Sequence, residues 1–191
     1  MRLPMRRHLF RAGITAMAAG VAARGAVAGS RPAASAGAAD GIAGIARLAL
    51  VNTHTGEALD VVYRERGHYL DDAIAEIDRV LRDHRNGEVF PIDRVLLDQL
   101  DALSALLGTG MRPFHVISGY RSPATNAMLA ARSGGVATHS LHMSGRAIDI
   151  RMPGVPLAVL HRAALGMRAG GVGFYPRSDF VHVDTGRVRS W

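Results

Sequence analysis

Two short segments near the end of the chain alternate between aliphatic side chains and side chains that can carry charge or bind metal. In residues 147–151 (AIDIR), Asp149 and Arg151 alternate with two isoleucines, and in residues 180–184 (FVHVD), His182 and Asp184 alternate with two valines. Because successive side chains of a β-strand point to opposite faces of a sheet, this pattern predicts two strands with one apolar and one polar face. The apolar face then requires a covering layer.

The remaining patterns predict helices and further strands that supply this layer and extend the sheet. The expected elements of the first half are a hairpin (47–52 with 59–63), a helix ended by Asn86-Gly87 (71–85) and a helix capped by Asp93 and stopped by Gly108. Those of the second half are strands at 114–117 and 172–175, a short helix capped by Ser122 and a helix at 155–168. The sequence therefore predicts an α+β domain in which helices precede an antiparallel sheet.

The net charge of +7 arises mostly from the beginning of the chain. All 23 basic residues are arginines, five of them lie in residues 1–28, and all 16 acidic residues come later. The rest of the chain therefore carries 18 arginines against 16 acids, a net charge of +2. Nucleic-acid-binding proteins carry dense basic stripes, and none remains here, so we expect no nucleic-acid partner.

The composition also limits the chemistry. The chain contains no cysteine, which excludes disulfides, thiolate nucleophiles and cysteine-ligated metals. Any metal must be held by His, Asp or Glu. No apolar run reaches the roughly 18 to 20 residues that span a bilayer, so we expect no membrane span in the mature protein.

Residues 1–28 have the organisation of an export signal. A basic start (MRLPMRRHLFR) precedes a mildly apolar stretch, and Ala26-Val27-Ala28 matches the A-x-A cleavage pattern. The Arg6-Arg7 pair resembles a twin-arginine signal, although Met5 stands where Ser or Thr is usual. The alternative is a basic amphipathic helix at the protein surface.

This organisation predicts three parts of the chain. The export signal occupies residues 1–28, a flexible Ala/Gly/Ser-rich linker occupies residues 29–44, and the folded domain occupies residues 45–191. We expect the mature protein in the periplasm or cell envelope. The lack of cysteine agrees with that location, because the folded domain then needs no disulfide chemistry.

Three residues form a candidate metal site. Asp149 and His182 lie on the polar faces of the two predicted strands, and His142 lies seven residues before Asp149 in a turn rich in Gly and Ser. Two imidazoles and one carboxylate are a ligand set for catalytic zinc, which keeps a fourth position for water. The alternative is that both histidines form ordinary hydrogen bonds and that Asp149 pairs with Arg146 or Arg151.

Three segments resemble the zinc D-Ala-D-Ala metallopeptidase superfamily in order and spacing: residues 118–122 (SGYRS), 140–149 (SLHMSGRAID) and 180–184 (FVHVD). The S-x-H-x-x-G-x-A-x-D string with a later His is the most specific of these signals. Residues 52–57 and 183–191 are similar to its YcbK-like branch of murein endopeptidases, once described as a domain of unknown function. The resemblance covers about residues 46–191. It implies a hedgehog-like fold, with helices packed on a small antiparallel sheet that carries zinc.

The resemblance also implies roles for individual residues. The family's zinc ligands fall on His142, Asp149 and His182. Arg121 falls on an arginine that contacts the scissile carbonyl or the substrate, where a permanent positive charge can stabilise an oxyanion. Otherwise it pairs with a carboxylate. Asp179 lies three residues before the last ligand, where many relatives have a glutamate that serves as general base.

The general base stays open. Asp179 has a shorter side chain than glutamate and is either the base or part of a turn. Asp184 shares a strand face with His182 and either orients that ring or acts as the base instead. His115 and His139 lie near the motif segments, where they either contact substrate or are ordinary surface or core histidines.

We therefore expect a zinc-dependent peptidase that hydrolyses peptide bonds of peptidoglycan. A murein endopeptidase acting on cross-links is favoured over a D,D-carboxypeptidase. The alternative is a non-catalytic, zinc-containing module that binds peptidoglycan or protein, and an intact general base would distinguish the two. The sequence contains no feature that indicates an oligomeric state.

Overall fold

The computed structural model describes residues 44–132 and 137–191, which belong to one α+β unit. The predicted export signal, and the predicted linker apart from Gly44, lie outside the described residues. In the part of the chain that is described, no helix has the length and hydropathy needed to cross a membrane. The expected α+β class is confirmed.

Three strands and two helices come first, strands and helices then alternate, and three strands end the chain. The strands are β1 (Ile45–Asn52), β2 (Ala58–Glu65), β3 (His68–Tyr69), β4 (Phe114–Ser118), β5 (Ala147–Arg151), β6 (Gly171–Tyr175), β7 (Phe180–Asp184) and β8 (Arg189–Ser190). The helices are α1 (Asp71–Val80), α2 (Arg94–Leu107), α3 (Pro123–Arg132), α4 (Leu157–Met167) and a short 3-10 helix (Leu141–Ser144).

The strands form one eight-stranded sheet within the described ranges, in the order β3-β2-β1-β4-β5-β7-β6-β8. Most neighbours are antiparallel, but β1 pairs with β4 and β6 pairs with β8 in parallel. The expectation of a small antiparallel sheet is therefore wrong in size and in strand direction. Strand β1 aligns Leu50 with Phe114 and so joins the N-terminal hairpin to the later strands in one sheet.

The core lies between one face of this sheet and the helices. On the central strands β5 and β7, Ile148, Ile150, Val181 and Val183 are buried, as the alternation predicts. They belong to one apolar cluster with side chains of α1, α2 and α4. Burying each such aliphatic side chain stabilises the fold by about 1.5 to 3 kcal/mol, which fixes the opposite, polar face toward the solvent side.

Helix α1 ends at Val80, earlier than the predicted end near residue 85. Its last carbonyl groups find partners outside the helix, because the Asn52 side-chain amide donates to the Val80 oxygen (2.8 Å) and the Tyr120 N–H donates to the Leu81 oxygen (2.7 Å). Helix ends need such partners for their free carbonyls. The chain then turns at Asp83, which places this turn beside the segment that follows β4.

Candidate active site

The pairing of β5 with β7 brings two of the predicted ligands together. Asp149 and His182 are direct partners in the register, so their side chains lie side by side on the polar face. The His182 Nδ1 atom lies 2.9 Å from the Asp149 Oδ1 atom. Both side chains are buried even though they lie on this face.

His142 reaches the same point from the short 3-10 helix. The Ser140 side chain accepts the His142 N–H, and Gly145 ends the turn with φ of +65°. A side chain at Gly145 would overlap the Pro91 carbonyl oxygen, so the turn packs tightly against the segment before α2. As a result, His142 Nε2 lies 3.3 Å from the Nδ1 atom of His182 and 3.4 Å from the Oδ1 atom of Asp149.

The hydrogen bonds of the outer ring nitrogens determine where the protons lie. His142 Nδ1 is 2.7 Å from the Gly119 carbonyl oxygen, and His182 Nε2 is 3.0 Å from the Asp184 Oδ2 atom. These oxygens only accept, so a proton on the outer nitrogen of each ring satisfies them and leaves the inner nitrogen free to bind a metal ion. The inner nitrogens then direct lone pairs at each other and at Asp149.

Two imidazole nitrogens and a carboxylate oxygen placed this close together are suited to binding a metal cation. In the described residues, His142, Asp149 and His182 form the group of potential ligands whose donor atoms all lie within 4.8 Å of one another. Ligands about 2.0 to 2.2 Å from a tetrahedral zinc stand roughly 3.3 Å apart, close to the separations of 2.9, 3.3 and 3.4 Å found here. The residues therefore fit zinc in number, chemistry and spacing.

The electrostatics of the cluster also favour a cation. Burial would raise the pKa of the Asp149 carboxyl, but His142 and His182 outweigh it and hold that pKa well below its usual range. Burial would lower the pKa of the His182 ring, but the carboxylates of Asp149 and Asp184 raise it. Asp149 is therefore an anion, and positive charge is stabilised next to it.

Asp184 holds His182 in place. Its side chain is completely buried, and its oxygens accept hydrogen bonds from the backbone N–H groups of Gly171 and Gly186 and from the Arg189 guanidinium, in addition to His182. Burial would raise its pKa, but these bonds lower it well below the usual range. These contacts favour the alternative noted from the sequence, that Asp184 orients the His182 ring.

Arg121 lies beside the cluster, as expected. Its Nη2 atom is 3.7 Å from Asp149 Oδ2 and 3.4 Å from the Ser118 hydroxyl, and its Nη1 atom is 3.4 Å from the side-chain amide oxygen of Asn126. Burial lowers the pKa of its guanidinium, while Asp149 opposes that shift. The nearly buried guanidinium is held by contacts longer than ideal hydrogen bonds, which leaves its donors available to a substrate oxygen.

The segment carrying Arg121 is fixed by its backbone. The Arg121 N–H donates to the His142 oxygen (3.1 Å), and the Ser122 N–H donates to the Asp83 carboxylate (3.0 Å). A side chain at Gly119 would overlap the Leu81 carbonyl oxygen. The candidate ligand His142 and the Arg121 side chain are therefore both positioned by residues 119–122.

Asp179 does not join this group. It lies in the turn between β6 and β7 with φ of +53°, its side chain is 63% exposed, and its carboxylate binds the Arg151 guanidinium at 3.0 Å. It lines a different cleft, described below, and not the one around the ligands. The structure therefore favours the alternative noted from the sequence, that Asp179 belongs to a turn.

The cluster opens into a cleft of about 390 Å³, which we call the cluster cleft. Besides the ligands, Arg121 and His139, it is lined by Tyr175, Arg189 and Trp191. The Trp191 indole N–H donates to the Tyr175 hydroxyl (2.7 Å), and its ring lies 5.3 Å from the His182 ring. The sequence assigned these residues no role. The sequence signal for Arg189 and Trp191 was the final segment GRVRSW. The β6–β8 pairing brings this segment close to His182.

The candidate metal site lies within a region that matches a known protein family. A family model described as peptidoglycan L,D-endopeptidase MepK matches residues 42–191. The chain belongs to this family. The resemblance to murein endopeptidases is thereby confirmed, and the match includes every residue of the cluster and Arg121.

Curated relatives carry the same description. Peptidoglycan L,D-endopeptidase MepK of Escherichia coli K12 is 47% identical over 144 residues, which cover 75% of this chain and 79% of the relative. The protein of the same name from Shigella flexneri has the same identity and coverage. The probable peptidoglycan L,D-endopeptidase MepK of Haemophilus influenzae is 40% identical over 144 residues, which cover 75% of this chain and 77% of the relative.

Proposed function

We propose that this protein is a zinc-dependent endopeptidase that hydrolyses peptide bonds of peptidoglycan, with cross-links between stem peptides as its substrate. The observation that carries the proposal is the convergence of three lone pairs, from His142, Asp149 and His182, beside a nearly buried arginine in an open cleft. Relatives described as peptidoglycan L,D-endopeptidases support the choice of substrate.

One group of residues would bind the metal ion, and another residue stabilises the charge that develops on the substrate. His142, Asp149 and His182 would hold zinc, which supplies Lewis-acid chemistry and lowers the pKa of water. Arg121 donates to the oxygen of the scissile carbonyl and stabilises the negative charge that develops there. Asp184 and the Gly119 oxygen hold the two rings in the orientation that directs their lone pairs inward.

Metal analysis tests the ligand set. The purified protein should contain about one zinc per chain, and His142→Ala and His182→Ala should lose it. His68→Ala is the matched control, because His68 is an exposed histidine on the short edge strand β3. Unchanged zinc content in the two ligand variants would remove the basis of the proposal.

Digestion of purified sacculi tests the reaction. The zinc-loaded protein should convert cross-linked muropeptides to monomers, identified by mass spectrometry, and a chelator should stop the conversion. Loss of only a terminal D-alanine would indicate a carboxypeptidase. Binding to sacculi without any released product would instead establish a non-catalytic binding module.

The proposal includes export to the envelope, the compartment of the substrate. Residues 1–28 are proposed as a twin-arginine signal, residues 29–44 as a linker and residues 45–191 as the zinc peptidase domain. Sequencing the N-terminus of protein from its native host should give a start near Gly29. Replacing Arg6 and Arg7 with lysine should block export, and an unchanged mature start in that variant would indicate the general secretory route.

A further inference from the structure

A second cleft opens on the polar face of the sheet, beside the cluster cleft. It has a volume of about 330 Å³, and we call it the arginine cleft. Its polar lining consists of His115, Arg151 and Asp179, and its apolar lining includes Met152, Val155 and Leu157. None of these residues has a role in the proposed zinc chemistry.

The strand register relates the two clefts. Arg151 follows Asp149 by two residues on the same face of β5, which corresponds to about 7 Å along an extended strand. His115 is the direct partner of Arg151 across the β4–β5 pair. On β7, Phe180 lines the cluster cleft, while the preceding residue, Asp179, lines the arginine cleft. An extended peptide crossing the cluster therefore continues into the arginine cleft.

The charge of the arginine cleft suits an anion. The Arg151–Asp179 contact is 3.0 Å long, but the two side chains are 38% and 63% exposed, so water screens the pair and its net strength is small. A second arginine, Arg112, donates to the Pro153 carbonyl at the rim (2.9 Å). Arg151 thus has one exposed carboxylate partner, which an incoming anion can replace.

We propose that the arginine cleft is a subsite that binds a carboxylate of the substrate peptide. Arg151 binds this carboxylate in place of Asp179, and the half-buried Val155 and Leu157 pack against the aliphatic part of the same residue. The inference rests on the proposed function, because an endopeptidase cuts within a peptide whose chain extends on both sides of the cut. For a peptide that runs along β5, the spacing of about 7 Å between Asp149 and Arg151 places the bound residue about two positions from the scissile bond.

Equilibrium binding tests the subsite directly. The probe is an uncross-linked stem peptide of peptidoglycan, prepared once with free carboxyl groups and once as its carboxamide, titrated calorimetrically into zinc-loaded protein. The wild type should bind the free acid about tenfold more tightly, as expected for a charge-assisted hydrogen bond that is partly exposed. Arg151→Ala should lose this preference, and Arg151→Lys should keep part of it, because lysine retains the charge without the bidentate geometry.

Arg162→Ala is the matched control, since Arg162 is an exposed arginine on α4. It should keep the full preference for the acid. The subsite is refuted if Arg151→Ala keeps the wild-type preference, or if the wild type binds acid and amide equally. Digestion of sacculi by the same wild-type preparation is measured separately, so loss of the proposed activity and loss of the subsite give different results.

Discussion

The carboxylate of Asp83 provides a test of how the fold positions Arg121. Asp83 is buried, with 1% of its surface exposed, in the turn after α1. It accepts hydrogen bonds from the backbone N–H groups of Ser122 and Arg85, both at 3.0 Å. Replacing Asp83 with alanine removes both acceptors and releases the residue that follows Arg121.

The expected loss of stability follows from these two bonds. A buried donor left without a partner costs about 1 to 3 kcal/mol, so Asp83→Ala should lower the free energy of unfolding by about 3 kcal/mol. A domain of this size loses about 2 to 4 °C of melting temperature per kcal/mol, which predicts a decrease of about 6 to 12 °C. The zinc ligands are not touched, so zinc content should persist below the transition while kcat falls.

The effect should also depend on pH with a definite sign. Burial would raise the pKa of the Asp83 carboxyl, but hydrogen bonds from Thr125 and Ser122 outweigh it and lower the pKa. A carboxyl group with a lowered pKa stabilises the fold above its unfolded pKa of about 3.9 and loses that contribution as the pH falls through the folded value. The difference between wild type and Asp83→Ala should therefore narrow below about pH 4.

Thermal denaturation and sacculus digestion at neutral pH measure both effects. Glu76→Ala is the control, because it removes an exposed carboxylate from α1. It should change neither the melting temperature nor kcat. A melting temperature of Asp83→Ala within about 2 °C of wild type, together with unchanged kcat, would refute the view that Asp83 positions the Arg121 segment.

Two further variants test the site residues. Arg121→Ala should leave zinc content nearly unchanged and lower kcat by about a hundred- to a thousandfold, the usual effect of losing one oxyanion donor; a change in KM alone would place Arg121 on a remote part of the substrate. Asp179→Asn should lower KM for carboxylate-bearing muropeptides, since it removes the internal partner of Arg151. A hundredfold fall of kcat in Asp179→Asn would instead restore Asp179 as the general base.

Local sequence patterns predicted the structure correctly where it is determined by residues that are close together in the sequence. The alternation in residues 147–151 and 180–184 predicted which aliphatic side chains join the apolar core, and Asp93 and Gly108 predicted the limits of α2. The alternation alone could not predict that Asp149 and His182 are direct partners, because it gives the face of each residue but not the register between the strands. The family resemblance supplied that pairing.

The structure differs from the sequence-based predictions where residues that are distant along the chain come into contact. Helix α1 stops at Val80 because Asn52, from β1, binds its last carbonyl, and no signal near residue 80 records that bond. Asp179 has the sequence position of a base, but the tight turn and the pairing with Arg151 direct it to another cleft. The contribution of Trp191 to the cluster cleft depends likewise on the parallel pairing of β8 with β6.

The location of the ligands within the sheet affects how metal binding relates to folding. Asp149 and His182 lie on β5 and β7, which have paired strands on both sides, and His142 is fixed by a carbonyl of the chain itself. In small zinc domains the free energy of metal binding drives folding, because their sites do not exist without the ion. Here the apolar layer builds the candidate site in advance, so we expect a metal ion to bind and exchange on an already folded chain. The affinity for the metal ion should then depend on coordination and proton release rather than on the free energy of ordering the chain.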